Sequence, residues 1–412
     1  MPVVDPVETT FFRGEVSPRS YWKSVKKRAA PAGRFRILLQ NAHRRAMPGC
    51  PSHLGAAPLK PALILLIIQF SDFLNNTHLF PNTFSHYNKT MIDFLASMLK
   101  TAKIPYKENE PLAPKSTFKV GGTARLFIMP ETPEQLESVI SAARSSELPF
   151  FVTGGASNVV YPDGAYEGAI ISTQQIKEIF YDPDETTPDG SVLVTCQCGV
   201  PMAAFVDFCT KKNLSGAEQF AGLPGTVGGA VYMNARCFDR SVSDLLYSTT
   251  HIEFTGAKSK LVEHPFNASD WDYKKSPFQA HTATNGSQIT QRYITQATFR
   301  LTPAGTAAHD RITADCKKYI AERVDKGHFK YPSAGSVFKN NHAFGAPSGR
   351  LIDECGLKGL TIGGAQIAPF HGNFIINTGS ATSADIRALV EAAKKAVHEK
   401  FGFDLEPEII FV

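Results

Sequence analysis

Two glycine-rich segments constrain this chain more than any other feature. The first, GGASNVVYPDG (154–164), follows an apolar run, and its glycines and short polar residues let backbone N–H groups turn inward toward an anionic ligand. The second, GLPGTVGGAVYMNA (222–235), again leaves out side chains where the backbone must approach closely. Either segment alone is typical of an ordinary tight turn. Both together favour a long ligand with phosphate groups at its middle.

The first segment lacks the fingerprint of a Rossmann domain. That fingerprint, GxGxxG, opens a helix directly after a strand, whereas residues 154–164 show neither the spacing nor a helical pattern. Apolar runs at 125–129 and 149–155 flank a helix that has an N-cap at Thr132 and a proline at its first position. The buried face of this helix is expected to consist of Leu136, Val139, Ile140 and Ala143.

A second strand and helix precede the second glycine-rich segment: the strand is at 192–199 and the helix follows Pro201. Strand-like sequence returns at 250–254 and 292–302, and residues 302–305 (TPAG) mark a boundary. The last helix has its cap at Thr382 or Ser383 and ends at Gly402. The sequence therefore predicts a mixed α+β protein without internal repeats.

Charge is distributed unevenly along the chain. Of the 43 Lys and Arg and 38 Asp and Glu, residues 1–90 hold 12 and 4, which leaves 31 basic and 34 acidic residues in 91–412. The globular part is therefore slightly acidic, and no basic stripe with aromatic residues indicates a nucleic-acid surface.

Residues 1–90 carry no recognisable motif. Their apolar run at 62–68 is shorter than the roughly 20 residues that a membrane helix needs, and no signal-peptide cleavage site follows it. We expect no membrane insertion. Met91 opens an amphipathic pattern with Ile92, Leu95, Met98 and Leu99, so one hypothesis makes Met91 the native initiator and residues 1–90 an over-extended reading frame. A disordered arm for targeting or partner binding is the alternative.

The seven cysteines form no CxxC pair and have no histidine at zinc spacing. This pattern predicts free thiols in a reducing cytoplasm and no metal site. Cys196 and Cys198 alternate along one predicted strand, where small half-buried side chains are a simpler interpretation than a redox pair.

Seven motifs stand in an order that resembles one enzyme family. They are STFKVGG (116–122), GGASN (154–158), GLPGTVGGAVYMNA (222–235), YPSAGSVFKN (331–340), GLKGLTIGGAQ (356–366), HGNFIIN (371–377) and LEPE (405–408). From about residue 105 onward the chain resembles UDP-N-acetylenolpyruvoylglucosamine reductase. The absence of an insertion between residues 275 and 290 resembles the shorter, type II form of that family.

The resemblance implies a fold and an activity. The fold is a two-lobed FAD-binding region like that of vanillyl-alcohol oxidase (the PCMH type) at 91–302, with lobes at 91–172 and 173–302, and a C-terminal α+β substrate-binding domain at 303–412. The activity is the NADPH-dependent reduction of UDP-N-acetylglucosamine enolpyruvate to UDP-N-acetylmuramate in peptidoglycan precursor synthesis. The resemblance further implies non-covalent FAD, a cytoplasmic location and no obligate protein partner.

The same resemblance assigns the glycine-rich segments to FAD. The cofactor would contact Gly154, Gly155, Ala156, Ser157, Asn158, Gly222, Pro224, Gly225, Thr226, Gly228 and Gly229.

Reducing an enolpyruvyl double bond requires a hydride at one carbon and a proton at the carbon that bears the carboxylate, where negative charge builds up in between. Ser336 matches the family's proton donor, and Glu408 matches a glutamate that assists at the carboxylate end. Lys274 stands in YKKS (273–276) where the family usually has arginine, and Ile410 replaces a basic residue that commonly follows the glutamate. Without the resemblance, Ser336 would be interpreted as a turn residue and Glu408 as a solvated charge.

Four further residues fall on the family's substrate-contacting positions. Arg323 matches the residue for the UDP phosphates, because a guanidinium can bind phosphate with two parallel hydrogen bonds. Tyr273, Asn340 and His371 match other substrate contacts. For Arg323 the alternative is a surface charge on a helix, and for His371 it is a structural hydrogen bond.

Two other functions were weighed. A carbohydrate or alcohol oxidase of the same flavin fold often tethers FAD through histidine or cysteine, but the first glycine segment contains no histidine. A non-catalytic flavoprotein is suggested by Lys274 and Ile410.

Overall fold

A computed structural model describes residues 84–279 and 290–412. The apolar run at 62–68 and most of the segment 1–90 lie outside the described residues. The first described helix begins at Phe84, ahead of Met91, and buries Met91, Leu95, Met98 and Leu99. The role of residues 1–90 stays a prediction.

The helices are α1 (Phe84–Thr101), α2 (Pro133–Ser145), α3 (Met202–Lys211), α4 (Val227–Tyr232), α5 (His309–Asp325), α6 (Ser348–Glu354) and α7 (Ser383–Phe401). The strands are β1 (Tyr106–Pro111), β2 (Thr123–Ile128), β3 (Phe150–Thr153), β4 (Val159–Val160), β5 (Ala165–Ser172), β6 (Ile179–Thr186), β7 (Val192–Gln197), β8 (Leu214–Ser215), β9 (Arg236–Cys237), β10 (Arg240–Ser241), β11 (Leu246–Thr255), β12 (Lys258–Pro265), β13 (Thr290–Pro303), β14 (Ser333–Ser336), β15 (Thr361–Ile362), β16 (Ala365–Ile367), β17 (Phe374–Asn377) and β18 (Ile410–Phe411).

The first sheet has the order β1-β2-β5-β3, in which β5 pairs in parallel with both β2 and β3. Helix α2 makes the crossover from β2 to β3. The Thr132 hydroxyl accepts the N–H of Gln135 at 3.2 Å, as the sequence predicts, and the four residues of the expected apolar face are all buried. Strand β3 therefore delivers the first glycine-rich segment at its carboxyl end.

The second sheet is antiparallel, with the order β12-β11-β13-β7-β6. After β7 the chain forms α3 and then enters the second glycine-rich segment, whose Thr226 is the N-cap of α4. The segment lies at the carboxyl end of β7, where Gly228 donates its N–H to the Cys198 carbonyl at 2.8 Å.

The C-terminal sheet has the order β14-β17-β16-β15, and α7 packs on it. Of the two predicted caps the structure has Thr382, which forms a capping box with Asp385, and Gly402 ends the helix in the left-handed conformation at φ 73°. The hydrophobic core of this part also contains Phe118 and Val160 from the first lobe. The α+β class is confirmed.

The first lobe also caps a helix of the C-terminal part. The Asp163 carboxylate, at the end of the first glycine-rich segment, accepts the N–H groups of Ser383 at 2.6 Å and Ala384 at 3.0 Å. In the described part of the chain, no helix combines the length and the apolar character needed to cross a membrane.

Candidate active site

The two glycine-rich segments contact each other directly. A Cβ atom added at Gly154 would lie 2.2 Å from the Thr226 hydroxyl oxygen, and one at Gly155 would lie 2.8 Å from the Cα of Gly225. Gly225 itself has φ +98°, and its Cβ would lie 2.6 Å from the Ser157 hydroxyl oxygen. These glycines are therefore required because the segments meet. The sequence indicated close approach to a ligand but not this contact.

The remaining glycines of the second segment differ in the space around them. A Cβ at Gly228 would lie 2.7 Å from the Cβ of Cys198, and one at Gly222, where φ is +76°, would lie 3.0 Å from the Arg323 Cδ. At Gly229 the nearest atom is the Thr226 hydroxyl oxygen at 3.6 Å, an ordinary contact. Gly229 therefore has room for a further group beside it.

Buried hydroxyl groups border the first segment. Those of Ser116 and Thr153 have no hydrogen-bond partner among residues 84–279 and 290–412. Thr153 directly precedes Gly154, and the neighbour of Ser116, Thr117, donates its N–H to the Ala156 carbonyl at 3.4 Å. Buried polar groups are normally paired, so unpaired hydroxyl groups beside a loop of backbone N–H groups fit a phosphate-containing cofactor such as FAD.

Two of the three predicted catalytic side chains form an ion pair, and the third lies on the segment that adjoins them. The Lys274 ammonium donates to a Glu408 carboxylate oxygen at 2.7 Å, with the two side chains 13% and 11% exposed. Glu408 in turn donates its backbone N–H at 2.7 Å to the carbonyl of Val337, which follows Ser336. The Ser336 hydroxyl forms no hydrogen bond within the described residues, and it follows Gly335, whose φ is +75°. The geometry leaves this hydroxyl available to a substrate.

The first glycine-rich segment also holds Glu408. The Asn158 amide donates to the Glu408 backbone carbonyl at 2.8 Å, and the N–H of Ile410 donates to the Asn158 carbonyl at 2.9 Å. Strand β18 continues this pairing in parallel with β4. Asn158 was expected to contact FAD, and its side chain here positions the segment that carries the glutamate.

Glu406, the neighbour most easily confused with Glu408, has a different partner. Its carboxylate accepts a hydrogen bond from Lys339 at 2.6 Å and is 68% exposed. The low exposure of the Glu408 carboxylate and its pairing with Lys274 therefore distinguish the two acids.

Arg323 is buried, with 7% of its surface exposed. Its Nε donates to the Ala221 carbonyl at 3.0 Å, directly before the second glycine-rich segment, and its guanidinium lies 5.4 Å from the centre of the Phe238 ring. The alternative of a solvated surface charge is therefore wrong. Whether Arg323 binds phosphate stays a prediction.

The other predicted substrate residues take part in local contacts. The Asn340 side-chain oxygen accepts the N–H of Ser348 at 3.0 Å, and the Nδ1 of His371 accepts the N–H of Asn373 at 3.1 Å. Burial lowers the pKa of His371, and an Nδ1 atom that accepts a hydrogen bond carries no proton. The Tyr273 ring lies 6.5 Å from that of His342. Their contacts to substrate remain predictions.

Thr117 joins the first glycine-rich segment to β14, the strand of Ser336, and no local sequence signal points to this role. Its hydroxyl donates to the Ser333 carbonyl at 2.8 Å, at the start of β14. Thr117 lies in the STFKVGG motif, but a threonine in such a motif does not reveal a partner 216 residues away.

The matches to known families agree with this arrangement. Residues 124–252 match the model of an FAD binding domain. Together with the fold and the two glycine-rich segments that form the cofactor cradle, this match defines an FAD-binding flavoprotein. Residues 327–412 match the C-terminal domain of UDP-N-acetylenolpyruvoylglucosamine reductase.

Individual relatives extend the match over most of the chain. The UDP-N-acetylenolpyruvoylglucosamine reductase of Treponema denticola is 41% identical over 302 residues, which are 73% of this chain and 92% of that protein. The Treponema pallidum reductase is 39% identical over 337 residues, covering 74% and 93%. The crystal structure of the Thermus caldophilus reductase superposes with a TM-score of 0.56 at 28% identity and covers 75% of this chain and 98% of that one. The chain belongs to the UDP-N-acetylenolpyruvoylglucosamine reductase family.

Proposed function

We propose that this chain reduces UDP-N-acetylglucosamine enolpyruvate to UDP-N-acetylmuramate, with NADPH as the electron source and non-covalent FAD as the cofactor, in peptidoglycan precursor synthesis. The observation that carries the proposal is the Lys274–Glu408 ion pair, hydrogen-bonded through the backbone to the residue after Ser336. This arrangement places a cation, a carboxylate and a hydroxyl on adjoining segments of a chain that belongs to the reductase family. The reaction needs groups of these kinds.

The glycine-rich segments and the unpaired hydroxyls of Ser116 and Thr153 would hold the cofactor. Bound FAD would supply, from NADPH, the hydride that the enolpyruvyl carbon requires.

Ser336 supplies the proton. Its hydroxyl proton passes to the carbon that bears the substrate carboxylate, and the serine oxygen is left as an alkoxide until solvent reprotonates it. Because a free hydroxyl is a weak acid, nearby positive charge must stabilise the alkoxide. Gly335, with φ +75° and no atom within 4 Å of where a Cβ would lie, leaves open space beside the hydroxyl for the substrate.

Lys274 stabilises the charge on the substrate carboxylate. An ammonium has three N–H groups, and since one bonds to Glu408, two remain for the substrate. Glu408 orients the flexible lysine side chain, which lacks the planar fork of an arginine. The Lys274 side chain is 13% exposed, which argues against a lysine that merely faces solvent while Lys275 or another base takes its role.

Three finer features belong to the same proposal. The chain is the shorter, type II form, because residues 275–290 leave no room for an additional domain. The two lobes of the FAD-binding region are 91–172 and 173–302. The substrate is bound by Tyr273, beside Lys274, and by Arg323, Asn340 and His371 in the C-terminal domain. The enzyme works in the cytoplasm.

The decisive assay is NADPH oxidation that depends on added UDP-N-acetylglucosamine enolpyruvate. We expect yellow protein with one FAD per chain that acid releases completely. Yellow colour that stays in the acid pellet would support an oxidase with covalent FAD, and folded, colourless protein that cannot be reconstituted with FAD would refute the flavin assignment.

A further inference from the structure

The turn that carries Lys274 is held by the end of the second glycine-rich segment. Lys274 has φ +56°, a left-handed conformation that a lysine rarely adopts and that its surroundings must impose. The turn runs from Asp272 to Lys275, whose N–H donates to the Asp272 carbonyl at 3.0 Å. A flexible lysine on a strained turn can serve the reaction only if other residues fix that turn.

Asn234 forms a side-chain hydrogen bond to this turn. It is 2% exposed, and its side-chain amide donates at 2.9 Å to the same Asp272 carbonyl. Its side-chain oxygen accepts the N–H of Ser243 at 3.1 Å. Both ends of the amide are thus used, one inside its own lobe and one on the lysine turn.

Two further hydrogen bonds join the same segments. The Ser276 hydroxyl donates to the Tyr232 carbonyl at 2.6 Å, and the Gln279 amide, which also donates to the Lys274 carbonyl at 3.2 Å, donates to the Met233 sulfur at 3.7 Å. The turn is therefore fixed to the end of α4, a helix that lies within the second glycine-rich segment.

We propose that Asn234 is a positioning residue for the reduction: it holds the Asp272–Lys275 turn so that the Lys274 ammonium lies against the Glu408 carboxylate. The inference rests on the role proposed above for Lys274. Asn234 lies in the segment assigned to FAD, so one rigid unit fixes the lysine relative to the cofactor cradle. The amide N–H₂ is the essential group, because it donates to Asp272 while the separate amide oxygen accepts from Ser243.

Two substitutions separate the amide donor from the backbone. Asn234 has φ +41°, which glycine adopts without strain, so Asn234→Gly keeps the main chain and removes both side-chain bonds. Asn234→Asp keeps the acceptor for Ser243 and replaces the donor to Asp272 by a buried carboxylate oxygen that faces the same carbonyl. The matched control is Asn213→Gly, because Asn213 also has a left-handed backbone, at φ +57°, and its side chain bonds to His309 instead.

We expect both Asn234 variants to retain FAD and to be reduced by NADPH at the normal rate. Substrate reduction should slow on the order of 10²-fold, which is the usual effect of a small misplacement of a catalytic group. The loss should appear in kcat more than in KM. Asn213→Gly should match the wild type in every measurement.

A double-mutant cycle tests whether Asn234 acts through Lys274. In a Lys274→Met background, Asn234→Gly should slow the reaction no further, because the group that it positions is gone. Additive effects, equal slowing of both half-reactions, or loss of folded protein in both Asn234 variants would overturn the inference and leave a purely structural residue.

The same measurements distinguish the inference from the function beneath it. Wild-type turnover in Lys274→Met would remove the proposed role of Lys274 and this inference with it. A slow Lys274→Met enzyme beside an unimpaired Asn234→Gly enzyme would remove the inference alone.

Discussion

The Lys274 ammonium and the Glu408 carboxylate lie 2.7 Å apart although 134 residues separate them in the sequence. Both side chains are nearly buried, so each charge depends on the other for compensation. The pair can therefore be tested by stability and by activity independently.

Lys274→Met should abolish most substrate reduction, with a loss of several kcal/mol of transition-state stabilisation, roughly three orders of magnitude or more in rate. Lys274→Arg should be tolerated or should improve turnover, because arginine keeps the charge and adds a planar fork. The measurement is substrate-dependent NADPH oxidation. Wild-type turnover in Lys274→Met would leave the position without a catalytic function.

Stability gives a second measure of the same pair. Lys274→Met leaves the Glu408 carboxylate nearly buried without a partner, at a cost of about 1–3 kcal/mol in the free energy of unfolding. Adding Glu408→Gln should restore most of that stability in urea titrations but none of the activity. If the double variant regained activity, the cation would not be needed for the reaction.

Ser336→Ala should leave flavin reduction by NADPH largely intact and slow substrate reduction by about 10²–10⁴-fold, because the proton donor acts only in the second step. Rapid-mixing absorbance of the flavin follows the two steps separately. A variant that is slowed equally in both would point to a cofactor or folding defect instead of a lost acid.

Gly155→Ala should prevent FAD retention, because its Cβ would lie 2.8 Å from the Gly225 Cα, and backbone cannot move aside as a side chain does. The matched control is Gly164→Ala in the same segment, where no atom lies within 4 Å of the added Cβ. Flavin absorbance per chain after gel filtration compares the two. Equal FAD content in both variants would show that the segments separate without cost.

Acid should destabilise the protein through His251, which is 1% exposed and has no hydrogen-bond partner for either ring nitrogen within the described residues. Burial, and secondarily the Arg292 charge, lowers the pKa of His251 to about 4. In the unfolded chain the pKa is about 6.5, so between these values only the unfolded state binds the proton. Stability should fall as the pH drops through this window, by up to about 3 kcal/mol for this residue.

His251→Leu should remove that share of the pH dependence, measured as the difference in unfolding free energy between about pH 7.5 and pH 4.5. The exposed His342, substituted in the same way, is the control. His328, whose pKa burial also lowers to about 4, keeps its own contribution in both variants. An unchanged pH dependence in His251→Leu would contradict the assignment.

Local signals predicted α2, α3 and α7 but not the short helices α4 and α6, and long-range contacts explain what else they missed. The caps at Thr132 and Thr382 and the buried stripe of α2 were readable because each depends on residues within a few positions. The contact between Gly155 and Gly225, and the burial of Arg323 against Ala221, depend on how distant segments meet. Hydrophobic periodicity carries no information about contacts between distant segments, so the sequence alone did not decide whether Arg323 binds phosphate or is a surface charge.

The pairing of β18 with β4 affects how the protein is made. Ile410 and Asn158 are bonded across about 250 residues of chain, so the first glycine-rich segment acquires its final neighbours only after the last strand has left the ribosome. Long-range pairing of this kind forms slowly and exposes unpaired strand edges meanwhile. The first glycine-rich segment is therefore completed by residues made about 250 positions later, from Glu408 onward.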